Sequence, residues 1–166
     1  MIKKLEVQKA GHSDEFGTPP SIVQLLIPHI NPKWIIWEGA YGNGELSATL
    51  KEYGFIVVGD ATIDFLTDLV ECDCIITNPP YSIKDKFIAR CYEINKPFAL
   101  LLPLTALEGK RRGKLFREHG IQLIIPNKRV NFRTPSGKGS GAWFQVAWFC
   151  WKLNLPNQLN FVESTA

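Results

Sequence analysis

The chain alternates short apolar runs, which are typical of buried strands, with stretches of helical periodicity. Runs rich in β-branched and aromatic residues predict six strands, at 34–40, 54–60, 74–76, 97–103, 121–126 and 142–151. The segments between them predict helices at 21–28, 45–53, 84–94 and 106–119. This alternation is typical of an α/β fold with a mostly parallel sheet. A polar, glycine-rich connection at 127–141 joins the last two strands, which we expect to pair as an antiparallel hairpin.

The predicted sheet is expected to be trimmed at one edge. The segment between Asp60 and Cys74 is too short for both a full helix and another strand. The length of 166 residues suits one domain, and no separate target-recognition domain is predicted. Residues 1–13 and 154–166 are predicted to be loose tails.

Composition restricts the class of protein. Apolar residues make up 45% and charged residues 21%, as in ordinary globular domains. No apolar run is long enough to span a membrane, and the first residues lack the apolar core of a signal peptide. We therefore expect a cytosolic protein with no membrane partner. The four cysteines form no Cys-x-x-Cys pair and the three histidines are scattered, so we expect buried thiols and no metal site.

The positive charge is concentrated in one segment. The whole chain carries +3, whereas residues 108–138 carry nine basic and two acidic side chains. Such a segment indicates either a polyanionic partner or a solvated helix face. Phe132 and Trp143 lie in or near this segment, and Phe132 is a candidate for base stacking or for core packing. The candidate nucleic-acid-binding residues are Lys110, Arg111, Arg112, Lys114, Lys128, Arg129, Phe132, Arg133 and Lys138.

An Asn-Pro-Pro-Tyr tetrapeptide, Asn78 to Tyr81, follows the predicted strand 74–76. Its two prolines fix two φ angles and remove two N–H donors, which predicts a stiff, extended loop. The Asn78 side-chain oxygen and the Pro79 carbonyl can accept both hydrogens of an exocyclic amino group, while Tyr81 stacks on the attached ring. The loop therefore favours amino-group chemistry; the alternative is a turn that only ends a strand.

A glycine-rich loop, Glu38-Gly39-Ala40-Tyr41-Gly42-Asn43-Gly44, follows the first predicted strand. Strand, glycine loop and helix form the nucleotide-binding start of doubly wound folds, because glycine allows close backbone approach. Glu38 favours a cationic ammonium and would repel a pyrophosphate. Asp60 ends the second strand and is a candidate for binding ribose hydroxyls or, alternatively, a turn residue.

The tetrapeptide and the glycine loop resemble the catalytic motif and the cofactor loop of S-adenosylmethionine-dependent amino methyltransferases. The resemblance extends from about Phe16 to Trp151 and implies a Rossmann-like class I methyltransferase fold with a seven-stranded sheet. It implies S-adenosyl-L-methionine as cofactor, S-adenosyl-L-homocysteine as product, and Asn78, Pro79, Pro80 and Tyr81 as catalytic residues.

The resemblance also implies roles for residues that the physical pattern leaves open. Thr18-Pro-Pro resembles a segment that packs on the methionine end of the cofactor, with an aromatic ring at Phe16 against it. Asp64-Phe65-Leu66 resembles a segment that accepts a hydrogen bond from the cofactor's adenine. On the residues alone, Thr18 lies before a plain helix and Asp64 is a helix cap. The predicted cofactor-binding residues are Phe16, Thr18, Glu38, Gly39, Ala40, Gly42, Gly44, Asp60, Asp64, Phe65 and Asn78.

We therefore predict methyl transfer to the N6 amino group of adenine in nucleic acid, with DNA favoured over RNA. The first alternative is transfer to a protein glutamine, which the basic segment disfavours. The second is a non-catalytic module that binds nucleic acid or joins a larger complex, which the intact tetrapeptide disfavours.

Overall fold

The computed structural model describes residues 17–133, 139–141 and 145–164, with the backbone alone described at 131–133 and 139–141. The described strands are β1 Ile35–Trp37, β2 Ile56–Val58, β3 Cys74–Thr77, β4 Phe98–Pro103, β5 Gln122–Pro126, β6 Asn131–Arg133, β7 Gly139–Gly141, β8 Val146–Trp151 and β9 Leu159–Val162. The described α-helices are α1 Pro20–Gln24, α2 Glu45–Glu52, α3 Lys84–Ile94 and α4 Lys110–His119. Short 3₁₀ turns lie at Ile27–His29, Tyr81–Ile83 and Leu104–Leu107.

Seven strands form one mixed sheet in the order β2-β1-β3-β4-β8-β5-β9. The pairs β2–β1, β1–β3, β3–β4 and β5–β9 are parallel, whereas β8 is antiparallel to both β4 and β5. The expected α/β fold, mostly parallel with an antiparallel C-terminal pair, is therefore confirmed. Strands β6 and β7, which the sequence pattern did not predict, pair as a separate antiparallel ribbon within the polar, glycine-rich connection.

Helices cover both faces of the sheet. On one face, α1 and α2 bury Ile22 and Leu50 against Trp148 of β8, and the Trp148 indole N–H donates to the Ile22 carbonyl at 2.8 Å. On the other face, α3 and α4 cover a core that includes Phe87 and Phe149. All four cysteines are free and buried, as expected. Among the described helices, none has the length and apolar character needed to cross a bilayer.

The sheet ends in β2 at one edge and in β9 at the other, and only the first edge was predicted correctly. Along the chain, no strand forms between the end of β2 and the start of β3, so the trimmed edge is confirmed and β2 is an edge strand. The prediction of a loose tail at 154–166 is wrong, because Leu159–Val162 pair in parallel with β5. Asn160 fixes this strand, since its buried side-chain Nδ2 donates to the Leu123 carbonyl at 2.9 Å.

The predicted helix 106–119 is divided in the structure. Leu104–Leu107 form a 3₁₀ turn, and α4 begins only at Lys110. Gly109 separates the two with a φ of 124°, which a helix does not contain. The break places the basic residues that follow Gly109 at the first turns of α4.

Candidate active site

Three neighbouring parallel strands place three candidate side chains at one rim of the sheet. Strand β1 lies between β2 and β3. Glu38, which follows β1, is therefore flanked by Asp60, which follows β2, and Asn78, which follows β3. The carboxyl ends of parallel strands are where open α/β sheets bind ligands.

Glu38 is a buried acid at the start of the glycine loop. Its exposed fraction is 2%, and its Oε2 atom is buried without a hydrogen-bond partner in the described part of the chain. Burial raises the pKa of the Glu38 carboxyl from 4.5 to about 8, although hydrogen bonds from the Thr77 side chain and the Ala40 backbone oppose the shift. Because an unpartnered buried carboxyl gains most from a cation, this side chain is suited to bind an ammonium group.

The glycine loop depends on glycine at two positions. Gly42 and Gly44 have φ values of 55° and 81°, and Gly44 directly precedes α2. A Cβ on Gly44 would lie 2.7 Å from the Tyr41 hydroxyl oxygen, so the Tyr41 side chain lies close over the loop. The Ala40 N–H donates to Thr77 Oγ1 at 2.9 Å, which joins this loop to the end of β3.

Phe65 lies in the core beneath the glycine loop. Its exposed fraction is 2%; its ring stacks on Phe87 at a centroid distance of 4.7 Å and is tilted against Trp37 at 4.9 Å. A Cβ on Gly39 would lie 2.5 Å from the Phe65 ring, so glycine is needed for this approach. Packing thus accounts for the position of Phe65, and its contact with the cofactor stays a prediction.

Asp60 and Asp64 are exposed and shape the turns after β2. Asp60 Oδ1 accepts hydrogen bonds from the N–H and the hydroxyl of Thr62, and the Thr62 side chain is the main cause of a lowered Asp60 pKa. Asp64 Oδ1 accepts from the Leu66 N–H at 2.9 Å. Asp60 is thus a turn residue, as the simpler interpretation expects, whereas Asp64 precedes a turn and not a helix. Their roles toward ribose and adenine stay predictions.

The tetrapeptide from Asn78 to Tyr81 is held from two sides. The Asn78 side-chain Nδ2 donates to Thr18 Oγ1 at 3.2 Å, and Thr18 is 4% exposed. Within the described residues, no donor contacts Asn78 Oδ1. Pro79 is buried, and the half-buried Tyr81 side chain packs against the cores on both faces of the sheet. The contact with Thr18 therefore orients the Asn78 amide so that its oxygen is the atom left to accept a hydrogen bond.

The residues at this rim fit the S-adenosylmethionine that the sequence implies. The orphaned Glu38 Oε2 suits its ammonium group, and the positive φ values of Gly42 and Gly44 allow its close approach to the backbone. The Glu45 carboxylate lies against Gly17, and Thr18 contacts Asn78, so residues 17 and 18 connect the glycine loop to the tetrapeptide. In the described chain, no group of three or more metal-binding side chains is placed to hold an ion.

The basic residues divide into two groups. The exposed ones are Lys110, Arg111, Lys114, Lys128 and Arg129, which lie at the start of α4 or after β5 on the same rim. Arg112 differs, because its side chain is 15% exposed and donates to Ala106, Glu108 and Asp85. Arg133 and Phe132 lie on β6 by their backbone, whereas their side chains, like Phe16, Lys138 and Trp143, lie outside the described residues.

Sequence reasoning missed three side chains that organise the rim. Thr77 connects β3 to the glycine loop, and Asp85 receives the Arg112 guanidinium. Gln145 joins the segments that end β4 and β5. Its backbone carbonyl accepts a hydrogen bond from the Leu104 N–H, and its side-chain Nε2 donates to the Pro126 carbonyl. The sequence around Gln145 gives no motif, since the role depends on three separate strands.

Comparison with known proteins identifies the fold. No family model and no curated protein matches the sequence. A class I S-adenosylmethionine-dependent methyltransferase from Listeria monocytogenes superposes with a TM-score of 0.60 at 15% identity, over 99% of this chain and 72% of that one. The methyltransferase subunit of a type I restriction-modification system from Streptococcus thermophilus gives 0.58 at 17% identity, over 90% of this chain and 47% of that one.

A third similar structure is the modification subunit of a type I restriction enzyme from Vibrio vulnificus. Its TM-score is 0.55 at 12% identity, over 99% of this chain and 50% of that one. The chain thus spans about half the length of the two restriction-system subunits. At these identities the similarity concerns the fold, which is that of class I S-adenosylmethionine-dependent methyltransferases.

Proposed function

We propose that the protein transfers a methyl group from S-adenosyl-L-methionine to the N6 amino group of adenine in nucleic acid. The observation that carries this proposal is the orientation of Asn78. Its Nδ2 donates to Thr18, so its Oδ1 can accept one hydrogen of a target amino group. An exocyclic amine is a poor nucleophile while its lone pair is delocalised into the ring, and acceptors for both hydrogens favour the pyramidal, reactive geometry.

The other residues of the rim serve binding and positioning. The Pro79 carbonyl is the second acceptor, and the rigid Pro79-Pro80 backbone keeps both acceptors in place without competing N–H donors. Tyr81 provides a ring for stacking on the base. When bound, the cofactor supplies an electrophilic methyl group. Glu38 binds the ammonium group of the cofactor and Asp60 binds its ribose hydroxyls. Gly42 and Gly44 allow the cofactor to approach the backbone of the loop closely.

The choice of nucleic acid as substrate is supported by charge. Lys110, Arg111 and Lys114 are exposed at the start of α4, and Lys128 and Arg129 follow β5 on the same rim as Asn78. A neutral peptide amide needs no such surface, whereas a polynucleotide does. Two structural neighbours are subunits of restriction systems, which also supports a nucleic-acid substrate and a larger assembly as the setting.

Methyl transfer from labelled S-adenosylmethionine tests the proposal. Denatured DNA, duplex DNA, RNA and a protein mixture are offered side by side, and the labelled product is digested and identified by mass spectrometry. The proposal predicts N6-methyladenine in a polynucleotide, at a rate that falls as salt rises. Label in a protein glutamine alone supports the glutamine alternative. Cofactor binding without transfer to any acceptor supports the non-catalytic alternative.

A further inference from the structure

The Arg112 side chain is enclosed by contacts within the protein, although it belongs to the most basic segment of the chain. Its Nε donates to the Ala106 and Glu108 carbonyls, each at 2.9 Å, and its Nη2 also donates to Glu108. Its Nη1 donates to Asp85 Oδ1 at 2.6 Å in an ion pair. All three guanidinium nitrogens thus have a partner within the protein, which disfavours a bidentate contact with phosphate.

The helix dipole does not account for these contacts. Arg112 lies in the first turn of α4, where the positive end of the helix dipole disfavours a cation. The backbone is nevertheless adapted to this side chain. A Cβ on Gly109 would lie 2.6 Å from Arg112 Nη2, and Gly109 has a φ of 124°, so the glycine leaves room for the guanidinium beside the loop.

The partner of Arg112 stands next to the catalytic tetrapeptide. Tyr81–Ile83 form a 3₁₀ turn that continues directly into α3, and Asp85 lies in the first turn of that helix. The Ile83 N–H donates to the Pro80 carbonyl at 3.2 Å, and the Lys84 N–H donates to the Tyr81 carbonyl. Backbone hydrogen bonds therefore connect the segment from Pro80 to Lys84, and Asp85 follows it directly in the first turn of α3.

We propose that Arg112 is a positioning residue, which fixes the Tyr81–Asp85 turn against the loop after β4, and that it is not a phosphate contact. The proposal rests on the proposed function, since it gives the tetrapeptide a catalytic role. Arg112 connects the helix that carries the exposed basic residues to the turn that carries the stacking ring. A lysine cannot replace it, because one ammonium cannot reach two carbonyls and a carboxylate in fork geometry.

Hydrogen exchange tests the positioning role without any assay of activity. Arg112→Gln is expected to raise exchange at the Ile83 and Lys84 amides by about tenfold or more. Arg111→Gln is the matched control, since it removes one charge from the adjacent, exposed residue and leaves these amides unchanged. Arg112→Lys keeps the charge and should behave as Arg112→Gln does, which also covers the case in which the glutamine variant does not fold. If the Ile83 and Lys84 amides exchange at the same rate in all three variants and in the wild type, the proposal is overturned.

Polynucleotide binding at several salt concentrations tests the second half of the proposal. Arg111→Gln is expected to lower the slope of log K against log salt by about 0.9 for duplex DNA, as one lost phosphate contact does. Arg112→Gln should show the same slope of log K against log salt as the wild type. An equal reduction in both variants shows that Arg112 contacts phosphate and overturns the assignment.

Steady-state kinetics separate failure of this inference from failure of the proposed function. Arg112→Gln and Asp85→Asn should each lower kcat by about tenfold, and the double variant should lose no more than either single one. Arg111→Gln should raise KM more than it lowers kcat. A wild type that methylates no acceptor refutes the proposed function, while the exchange experiment still decides whether Arg112 fixes the turn. An active wild type with an equally active Arg112→Gln variant refutes the inference alone.

Discussion

Asn78 and Thr18 lie sixty positions apart in the sequence and are joined by a hydrogen bond of 3.2 Å from Asn78 Nδ2 to Thr18 Oγ1. In this arrangement the Thr18 hydroxyl accepts from the nitrogen end of the amide, which leaves the oxygen end to accept a hydrogen bond from another group. If the amide were reversed, Asn78 would present a donor to the hydrogens of the target amine. The Thr18 hydroxyl therefore supports the orientation of Asn78 on which the proposed chemistry depends.

Thr18→Val is expected to reduce methyl transfer while preserving the shape of the side chain. Valine removes the acceptor for Asn78 Nδ2, so the amide loses its preferred orientation, and kcat should fall about tenfold. Thr18→Ser keeps the hydroxyl and should retain most of the wild-type kcat. Calorimetry with S-adenosylhomocysteine should show similar affinities for both variants. If Thr18→Val binds S-adenosylhomocysteine more weakly but keeps the kcat of the wild type, the result would instead support a direct contact between Thr18 and the cofactor.

Asn78→Ala is expected to lower kcat by about 100- to 1,000-fold, because a preorganised acceptor at the reacting amine is lost. Asn78→Asp is the informative comparison, since it keeps an acceptor oxygen and can take a hydrogen bond from the Thr18 hydroxyl. Single-turnover methyl transfer should therefore be faster in the aspartate variant than in the alanine variant. Equal rates in the wild type and Asn78→Ala would mean that the amide does not take part.

Glu38→Gln is expected to change the pH dependence of stability. The folded protein holds the Glu38 proton up to about pH 8, whereas the unfolded chain releases it near pH 4.5. Between these pH values the folded state holds one proton more than the unfolded state. The unfolding free energy of the wild type therefore falls by roughly 1.4 kcal/mol for each pH unit of increase.

Urea unfolding of both proteins at several pH values measures this effect. The stability of the wild type relative to Glu38→Gln should be highest near pH 4.5 and decline toward pH 8. A difference that stays constant with pH would show that Glu38 is ionised in the folded protein throughout the range.

Gly44→Ala should destabilise the protein and weaken cofactor binding. A left-handed conformation costs a non-glycine residue roughly 1–2 kcal/mol, and the new methyl group would also collide with Tyr41. Gly120→Ala is the matched control, because Gly120 has a φ of 89° with open space around its Cβ position, far from the glycine loop in sequence. Both variants should unfold at lower urea concentration, and only Gly44→Ala should bind S-adenosylhomocysteine more weakly. Equal affinity of both variants for S-adenosylhomocysteine would show that Gly44 is not needed for cofactor binding.

The sequence predicted those parts of the fold that depend on local pattern. Helix α3 has the predicted bounds, 84 and 94, and the tetrapeptide follows β3 as the apolar run indicated. The missing strand after β2 was predicted because the number of residues between Asp60 and Cys74 limits what can form there. In each case the determining information lies within a few turns of the chain.

The errors and omissions involve contacts between distant residues. The tail was predicted to be loose because its short segment Leu159–Val162 gains stability only by pairing with β5. Charge counts placed Arg112 among the basic residues but do not show its contacts with Ala106, Glu108 and Asp85. The Thr18 contact with Asn78 likewise has no local signal. Side-chain partners, more than element positions, are what the sequence pattern left undetermined.

A crystal structure with S-adenosylhomocysteine bound is the most direct test of the account. It is expected to place the ligand's ammonium group at Glu38 Oε2 and its sulfur toward Asn78 and Pro79, with Asn78 Oδ1 still facing the rim and its Nδ2 still bonded to Thr18. Binding at another surface, or an Asn78 amide turned with its nitrogen toward the sulfur, would contradict a site built for amino-group methylation.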